Sequence, residues 1–204
     1  MRELIMKEFP EHGILGEEFG EHNSEAEYKW ILDPIDGTKS FICGTVTFGT
    51  LIALTKNNIP IVGVINQPIL NEFLVGDNFS STLNDKKVIV SEIDKIENSV
   101  LLTTDYLNIE KYQNKNGFDN LTKKTKLFRM WGDCYGYYLV ATGFAEIMID
   151  PIMNVWDSAA LIPIINGAGG KITDYFGNHP IAGDSIVATN GKIHDDVIKI
   201  LNES

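Results

Sequence analysis

The stretch Trp30–Phe41, "WILDPIDGTKSF", decides how the rest of the sequence is interpreted. Its short apolar run is typical of a buried strand, and it ends in Asp33 and Asp36, followed by Gly-Thr and a predicted helix start. Two nearby carboxylates repel each other, and burying them without a partner costs several kcal/mol. We therefore expect a compensating group at this strand end.

A metal ion is the partner that suits these residues. Pro34 holds Asp33 in an extended conformation, and Gly37 allows other groups to approach the backbone. Both carboxylates and the Ile35 carbonyl oxygen can then face one space, and such hard oxygen ligands suit Mg²⁺ or Mn²⁺. The Gly37 and Thr38 amides would lie at a helix N-terminus, which suits a phosphate. The alternative is structural, with one Asp capping the helix and the other beginning a turn.

Two further acidic positions fit the same site. Glu17 and Glu18 lie in "GILGEEFG", a predicted loop over residues 13–20, and Asp157 begins an apolar helix after Trp156. The alternatives are a solvated surface pair and an acidic first turn stabilised by the helix dipole. Four carboxylates would be balanced by two Mg²⁺ ions, and a third ion would attract a phosphate dianion. Such sites activate water in phosphate ester hydrolysis.

The composition narrows the class of protein. The 204 residues are 44% hydrophobic and 22% charged, as in a globular chain of one large or two small domains. Because 28 Asp and Glu face 17 Lys and Arg, direct binding to nucleic acid or to an anionic membrane is not expected. No apolar run reaches the length of a membrane span. Cys43 and Cys134 lack metal-ligand spacing, which favours a reduced, cytoplasmic chain.

The pattern along the chain predicts a layered α/β fold. A soft boundary near residues 97–99 separates an N-terminal metal-binding subdomain, 1–98, from a C-terminal substrate-specificity subdomain, 99–204. The predicted strands are 29–32, 48–55, 59–66, 72–75, 86–90, 100–103, 126–130, 146–149, 171–173 and 185–188, the second and third forming an antiparallel hairpin. The predicted helices are 1–9, ended by Pro10, two within 107–125 around a loop at 111–117, and 135–142, 156–165 with a kink at Pro163, and 194–201.

Two competing motifs fail on their spacing. "DGT" is part of the Asp-x-Asp-Gly-Thr signature of aspartyl-nucleophile phosphatases, but Pro34 stands where that nucleophile would be. "GAGGK" lacks the first glycine of a P-loop, because Ile165 stands there, and Ile172 replaces the Ser or Thr after Lys171.

The motifs "GEE", "DPIDGT" and "WDSAA…GAGG", in this order, resemble the inositol monophosphatase superfamily of lithium-sensitive, Mg²⁺-dependent phosphatases. Within it, "DPIDGTKSFICG…FGTLIAL" and "RMWGDCYGYYLVATGFAEIMIDPIMNVWD" resemble the histidinol-phosphate phosphatase branch. The resemblance covers nearly the whole chain. It implies an alternating α-β-α-β-α sandwich, here lacking the first two helices, that is usually a homodimer.

The resemblance also implies metal ligands. Glu17, Asp33 and the Ile35 carbonyl would hold one Mg²⁺ ion. Asp33, Asp36 and Asp157 would hold the second, and Glu17 would help with a third.

Phosphate binding and water activation are assigned in the same way. The resemblance implies that the Gly37 and Thr38 amides bind phosphate and that the Thr38 hydroxyl orients the attacking water. Glu17 and Glu18 of the "GEE" motif complete the predicted catalytic set.

Substrate choice is expected to depend on the second half of the chain. Asp133 of "WGDCYGY" stands where inositol-type enzymes have Ser, and Asp133 and Asp150 could pair with the ammonium and imidazole of histidinol phosphate. Arg129 is a third candidate. The alternatives are that Asp133 caps the following helix, that Asp150 is a turn residue before proline, and that Arg129 only packs or lies on the surface.

The expected function is a Mg²⁺-dependent phosphomonoesterase acting on a small phosphorylated metabolite, with histidinol phosphate as the expected substrate. Alternatives in the same superfamily are inositol monophosphatase-like and nucleotide 3′-phosphatase activities. An alternative of another class is a catalytically impaired fragment that binds metal or a protein partner. Family members carry several tens of residues before the equivalent of Met1, and an acidic residue among them pairs with the Thr38 hydroxyl.

Overall fold

The computed structural model describes residues 1–18 and 20–203, and the strands of the described chain form two sheets. The first sheet has the order β2-β1-β3-β4-β5-β6-β7-β8. Its strands are β1 (Gly13–Gly16), β2 (Gly20–His22), β3 (Tyr28–Asp36), β4 (Gly49–Lys56), β5 (Ile59–Gln67), β6 (Glu72–Gly76), β7 (Ser81–Leu83) and β8 (Lys86–Val88). Neighbouring strands are antiparallel except β1 and β3, which are parallel.

The second sheet comes from the later part of the chain and has the order β10-β9-β11-β13-β12. Its strands are β9 (Val100–Thr103), β10 (Leu127–Arg129), β11 (Ile147–Asp150), β12 (Lys171–Thr173) and β13 (Ile186–Thr189). Strand β9 is parallel to both β10 and β11, so the carboxyl ends of these three strands meet at one edge.

Eight α-helices of the described chain pack around these sheets. They are α1 (Arg2–Glu8), α2 (Thr38–Ile42), α3 (Tyr106–Tyr112), α4 (Lys115–Lys124), α5 (Asp133–Ala141), α6 (Val155–Ser158), α7 (Leu161–Gly167) and α8 (His194–Asn202). Helices α5 and α7 contact strands of both sheets, and α8 covers the outer face of the second sheet together with α4. The predicted layered α/β fold is confirmed.

The side-chain alternation of the second sheet explains this layering. Leu101 and Ile147 point to the cluster under α4 and α8, whereas their neighbours Leu102 and Met148 point to the cluster shared with α5, α7 and the first sheet. Because successive strand residues face opposite sides, one apolar strand can cover two helical layers.

Glycine at one position of the first sheet allows α7 to approach closely. A Cβ at Gly63 would lie 1.9 Å from the carbonyl oxygen of Ala160. The predicted single helix 156–165 is wrong, because α6 ends at Ser158 and α7 begins at Leu161. The reason is Pro163, which has no N–H to donate to the carbonyl of Ala159, four residues earlier. The helix is therefore interrupted near Ala159, one turn before the proline.

Three other sequence-based predictions also need correction. The predicted loop 13–20 contains β1, in which Ile14 is fully buried and pairs with β3; Phe19 of that stretch lies outside the described residues. Strands β2 and β7 were not predicted. The predicted loop 111–117 is reduced to residues 113–114, because the Asn114 side chain accepts from the Gly117 amide and starts α4.

The proposed boundary near residue 98 falls between the two sheets, whose strands span residues 13–88 and 100–189. One buried cluster nevertheless contains residues from both sheets, so the division into two subdomains stays a prediction. Within the described residues, no helix has the length and apolar character needed to cross a bilayer.

Candidate metal and substrate site

Three carboxylates converge at the end of β3. Asp33 and Asp36 of β3 and Asp157 of α6 each offer one oxygen, and these oxygens all lie within 4.8 Å of one another. Residues three apart in a regular strand face opposite sides of the sheet. The pairing of β3 with β4 shifts between Asp33 and Asp36, and this irregularity brings the two side chains to the same side.

Backbone amides hold two of these carboxylates in place. Asp36 accepts a hydrogen bond from the Cys134 amide at the start of α5. Asp157 accepts from the Asn154 amide at 2.8 Å in a capping box. Asp157 does lie in the first turn of α6, as the helix-dipole alternative has it, but the same carboxylate also faces the cluster.

The pKa values of these groups reflect burial and mutual repulsion. Burial, then the charges of Glu17 and Asp157, raise the pKa of Asp33 to about 7. Burial and the Asp33 charge raise the pKa of Asp36 well above its usual value, and burial also raises the pKa of Asp157. A divalent cation would relieve this repulsion, and carboxylate oxygens are the donors that Mg²⁺ prefers. The residues present therefore fit a hard divalent metal.

The two residues of the "GEE" motif lie in different places. Glu17 follows β1, its amide donates to the Leu32 carbonyl at 3.3 Å, and its carboxylate is near enough to Asp33 to affect that pKa. Glu18 lines a neighbouring apolar groove formed with Met1 and Met6, which Glu17 also borders. The structure thus brings Glu17, but not Glu18, to the carboxylate cluster.

The predicted phosphate-binding residues, Gly37 and Thr38, come directly after Asp36 in the chain. Gly37 has φ +79°, which suits glycine, and it precedes the short helix α2. The Thr38 hydroxyl donates to the Ile35 carbonyl at 3.0 Å, which leaves that oxygen a second lone pair for a metal. The roles assigned to Gly37, Thr38 and Ile35 stay predictions.

Asp133 reaches across to α2. Its carboxylate accepts hydrogen bonds from the hydroxyls of Ser40 and Thr47, and it lies so close to Gly37 that a Cβ there would be 2.7 Å from the Asp133 Cγ. Gly132 is the N-cap of α5, and no side chain caps it. The alternative in which Asp133 caps α5 is therefore wrong.

Asp150 is the last residue of β11 and is 6% exposed. It accepts from the Thr104 amide at 3.1 Å and from the Tyr137 hydroxyl at 2.9 Å, and burial raises its pKa to about 6.

Arg129, at the end of β10, lies over the Trp131 ring and is not among the described residues that line the cleft. Its substrate role stays a prediction.

All of the predicted site residues except Glu18 and Arg129 line one cleft of about 280 Å³. The described lining includes one cation, Lys39, and seven carboxylates: Glu17, Asp33, Asp36, Asp105, Asp133, Asp150 and Asp157. Sequence reasoning missed Asp105, the N-cap of α3, and its neighbour Thr104. The available signal was "TTDY", in which an acid follows a buried strand as it does in "ILDPID".

Comparison with known proteins adds an independent line of evidence. A model described as the inositol monophosphatase family matches residues 1–204. The histidinol-phosphatase of Chlorobaculum parvum is 40% identical over 200 residues, which cover 97% of this chain and 77% of that protein. The chloroplastic bifunctional phosphatase IMPL2 of Arabidopsis thaliana is 40% identical over 195 residues, covering 93% of this chain and 56% of that protein.

The fold is also similar to solved structures. The structure of an inositol monophosphatase from Anabaena (Nostoc) sp. superimposes with a TM-score of 0.90 at 34% identity, covering 98% of this chain and 82% of that one.

Proposed function

The chain belongs to the inositol monophosphatase family, whose members are metal-dependent phosphatases, and on that premise we propose that its substrate is histidinol phosphate. The observation that carries the proposal is the acidic surplus of the cleft. Beyond the cluster of Asp33, Asp36 and Asp157, the cleft has Asp133 and Asp150, opposed by Lys39 alone among the described lining residues. A substrate that is anionic at one end and cationic at the other matches this surplus.

The metal-binding end would receive the phosphate. Glu17, Asp33, the Ile35 carbonyl, Asp36 and Asp157 would hold two or three Mg²⁺ ions, which supply an activated water and charge neutralisation when bound. The chain itself contributes fixed geometry, because each carboxylate of the cluster is buried or held by a hydrogen bond. Mn²⁺ suits the same oxygen ligands.

Asp133 and Asp150, in the same cleft, would receive the amino alcohol. Asp133 is fixed by two hydroxyls and Asp150 by an amide and a phenol, so neither must reorganise to accept an ammonium or imidazolium group. Preorganised charged acceptors bind a cation more strongly than mobile ones do. The similarity to a protein named histidinol-phosphatase supports the same assignment.

The proposal is tested by Mg²⁺-dependent phosphate release from histidinol phosphate, inositol 1-phosphate and a nucleoside 3′-phosphate in parallel. We expect release from histidinol phosphate at the highest kcat/KM, and none after chelation of the metal. A preference for inositol 1-phosphate or the nucleotide would replace the proposal by the corresponding alternative. Mg²⁺ binding without release from any ester would favour a metal-binding module.

We also propose that the chain is a homodimer. Phe41 and Ile42 of α2 and Val46 of the following loop are exposed apolar residues beside the cleft, and exposed apolar surface favours association. Sedimentation equilibrium would test this directly.

A further inference from the structure

Thr104, the first residue after β9, forms hydrogen bonds with both acidic residues that the proposed function assigns to the cationic end of the substrate. Its amide donates to Asp150 at 3.1 Å, and its hydroxyl oxygen accepts from the Asp133 amide at 2.9 Å. These two carboxylates come from different elements, α5 and β11. Thr104 is thus a direct link between them.

The sheet topology explains why Thr104 lies beside Asp150. Strand β9 is paired in parallel with β11, so the residue after β9 lies beside the carboxyl end of β11, where Asp150 is the last residue. Ligands of open sheets bind outside the carboxyl ends of parallel strands. Thr104 itself lines the cleft.

The backbone at Asp133 is held in an uncommon conformation. Its φ is +50°, in the left-handed region that residues other than glycine seldom occupy. Such a conformation persists only where the surroundings enforce it, and it is found preferentially at functional sites. Here the Thr104 hydroxyl oxygen accepts from the Asp133 amide, and the hydroxyls of Ser40 and Thr47 donate to the Asp133 carboxylate.

Gly132, the residue before Asp133, allows the same contact with Thr104. A Cβ at Gly132 would lie 2.2 Å from the Thr104 Cα and 2.4 Å from its Oγ1. Only glycine allows the two backbone segments to come this close. The close approach places the Asp133 amide within reach of the Thr104 hydroxyl.

We infer that Thr104 is a positioning residue, which fixes Asp133 and Asp150 as a preformed pair of acceptors for the cationic end of the substrate. This inference rests on the proposed function, because that function gives the two carboxylates their role. Thr104 contacts Asp133 through its hydroxyl oxygen and Asp150 through its backbone amide. Burial raises the pKa of the Asp150 carboxyl, and hydrogen bonding by the Thr104 side chain lowers it. Substitution of the side chain therefore affects both acidic residues.

The test compares three variants. Thr104→Val removes the acceptor for the Asp133 amide while keeping the shape of the side chain, and Thr104→Ser restores that acceptor. Thr103→Val is the matched control, because Thr103 immediately precedes Thr104 and is fully buried, and its hydroxyl has no hydrogen-bond partner within the described structure. All three are assayed with histidinol phosphate and inositol 1-phosphate.

We expect Thr104→Val to raise KM for histidinol phosphate about tenfold, the effect of losing one well-placed hydrogen bond, with kcat changed much less. KM for inositol 1-phosphate should change little, and Thr104→Ser and Thr103→Val should resemble the wild type. Calorimetric titration with L-histidinol should show the same tenfold loss in Thr104→Val without any turnover.

Amide hydrogen exchange at Asp133 provides a readout that does not depend on the substrate. We expect faster exchange in Thr104→Val than in Thr103→Val. Wild-type KM together with wild-type exchange in Thr104→Val would overturn the inference even if histidinol phosphate is the substrate. If the wild type does not hydrolyse histidinol phosphate, the proposed function fails; unchanged amide exchange at Asp133 in Thr104→Val would then overturn the inference separately.

Discussion

Asp36 shows how a single carboxylate can depend on a distant segment of chain. Its carboxylate accepts from the amide of Cys134, which lies 98 residues away in sequence. Asp36→Asn keeps an acceptor for this amide but removes the charge from the cluster. We expect Mg²⁺ affinity and phosphate release to fall by more than about tenfold, since losing even an outer partner of a metal ligand costs 10–100-fold. Magnesium titration and a phosphate assay measure both quantities.

A matched control for this substitution is Asp195→Asn. Asp195 is an exposed carboxylate paired with Lys171 on the surface, so the variant has the same change in net charge without touching the cleft. Undiminished turnover in Asp36→Asn, or an equal loss in the control, would contradict a metal site at the end of β3.

Asp133 allows substrate recognition to be separated from metal binding. Asparagine tolerates a positive φ and can accept from Ser40 and Thr47, so Asp133→Asn should fold normally and lose only the charge. We expect kcat/KM for histidinol phosphate to fall at least tenfold, because charge-assisted hydrogen bonds are about twice as strong as neutral ones. Equal losses with histidinol phosphate and inositol 1-phosphate would leave Asp133 with a structural role only.

At the scale of elements, local patterns predicted β3, the hairpin of β4 and β5, and most later strands within a few residues. Strand β1 was missed because one of its two partners, β3, is reached only after β2, and because Gly13 and Gly16 indicate a loop when taken locally. A Cβ at Gly13 would lie 2.5 Å from the Asn23 carbonyl oxygen, so this glycine is required by packing rather than by a turn.

Glu146 shows how a connection between elements is anchored. It precedes β11, is 3% exposed, and accepts from the Ser91 hydroxyl and the Val100 amide, both at 2.7 Å. It therefore ties the segment between β8 and β9 to the second sheet. Glu146→Ala would leave a buried amide without a partner, and we expect the free energy of unfolding to fall by about 2–3 kcal/mol.

Urea denaturation measures this change. Glu97→Ala is the control, because Glu97 is exposed on the same connecting segment and should change stability by less than about 0.5 kcal/mol. A loss in Glu146→Ala no larger than in the control would show that the connection is held by other contacts.

Across the whole molecule, the cleft is assembled from both halves of the chain. Asp33 and Asp36 follow from a local strand pattern, whereas Asp157, Asp133 and Asp150 come from three elements of the second half. The motif resemblance identified these residues. The hydrogen bonds that fix them depend on tertiary packing, which is why Thr104 could not be selected from spacing alone.

This assembly links the metal to the stability of the whole chain. Because the folded-state pKa of Asp33 is raised to about 7, the stabilising contribution of its protonated form is present below the unfolded value of 3.8 and is lost as pH rises through about 7. The metal-free chain should therefore lose stability from this group over that range. Mg²⁺ binds the deprotonated carboxylates, so its own stabilising effect should grow over the same range.

We therefore expect the increase in Tm caused by Mg²⁺ to be larger at about pH 8 than at about pH 5.5, where protons compete for Asp33. Scanning calorimetry with Mg²⁺ or with a chelator, at both pH values, measures the difference. Asp33→Asn is the control, because residue 33 then cannot release a proton; its Mg²⁺ effect should be much smaller, with only the pH dependence that Asp36 and Asp157 contribute. An increase in Tm with Mg²⁺ that is equal at both pH values in the wild type would contradict metal binding through Asp33. The ion would then not compete with the proton of the Asp33 carboxyl.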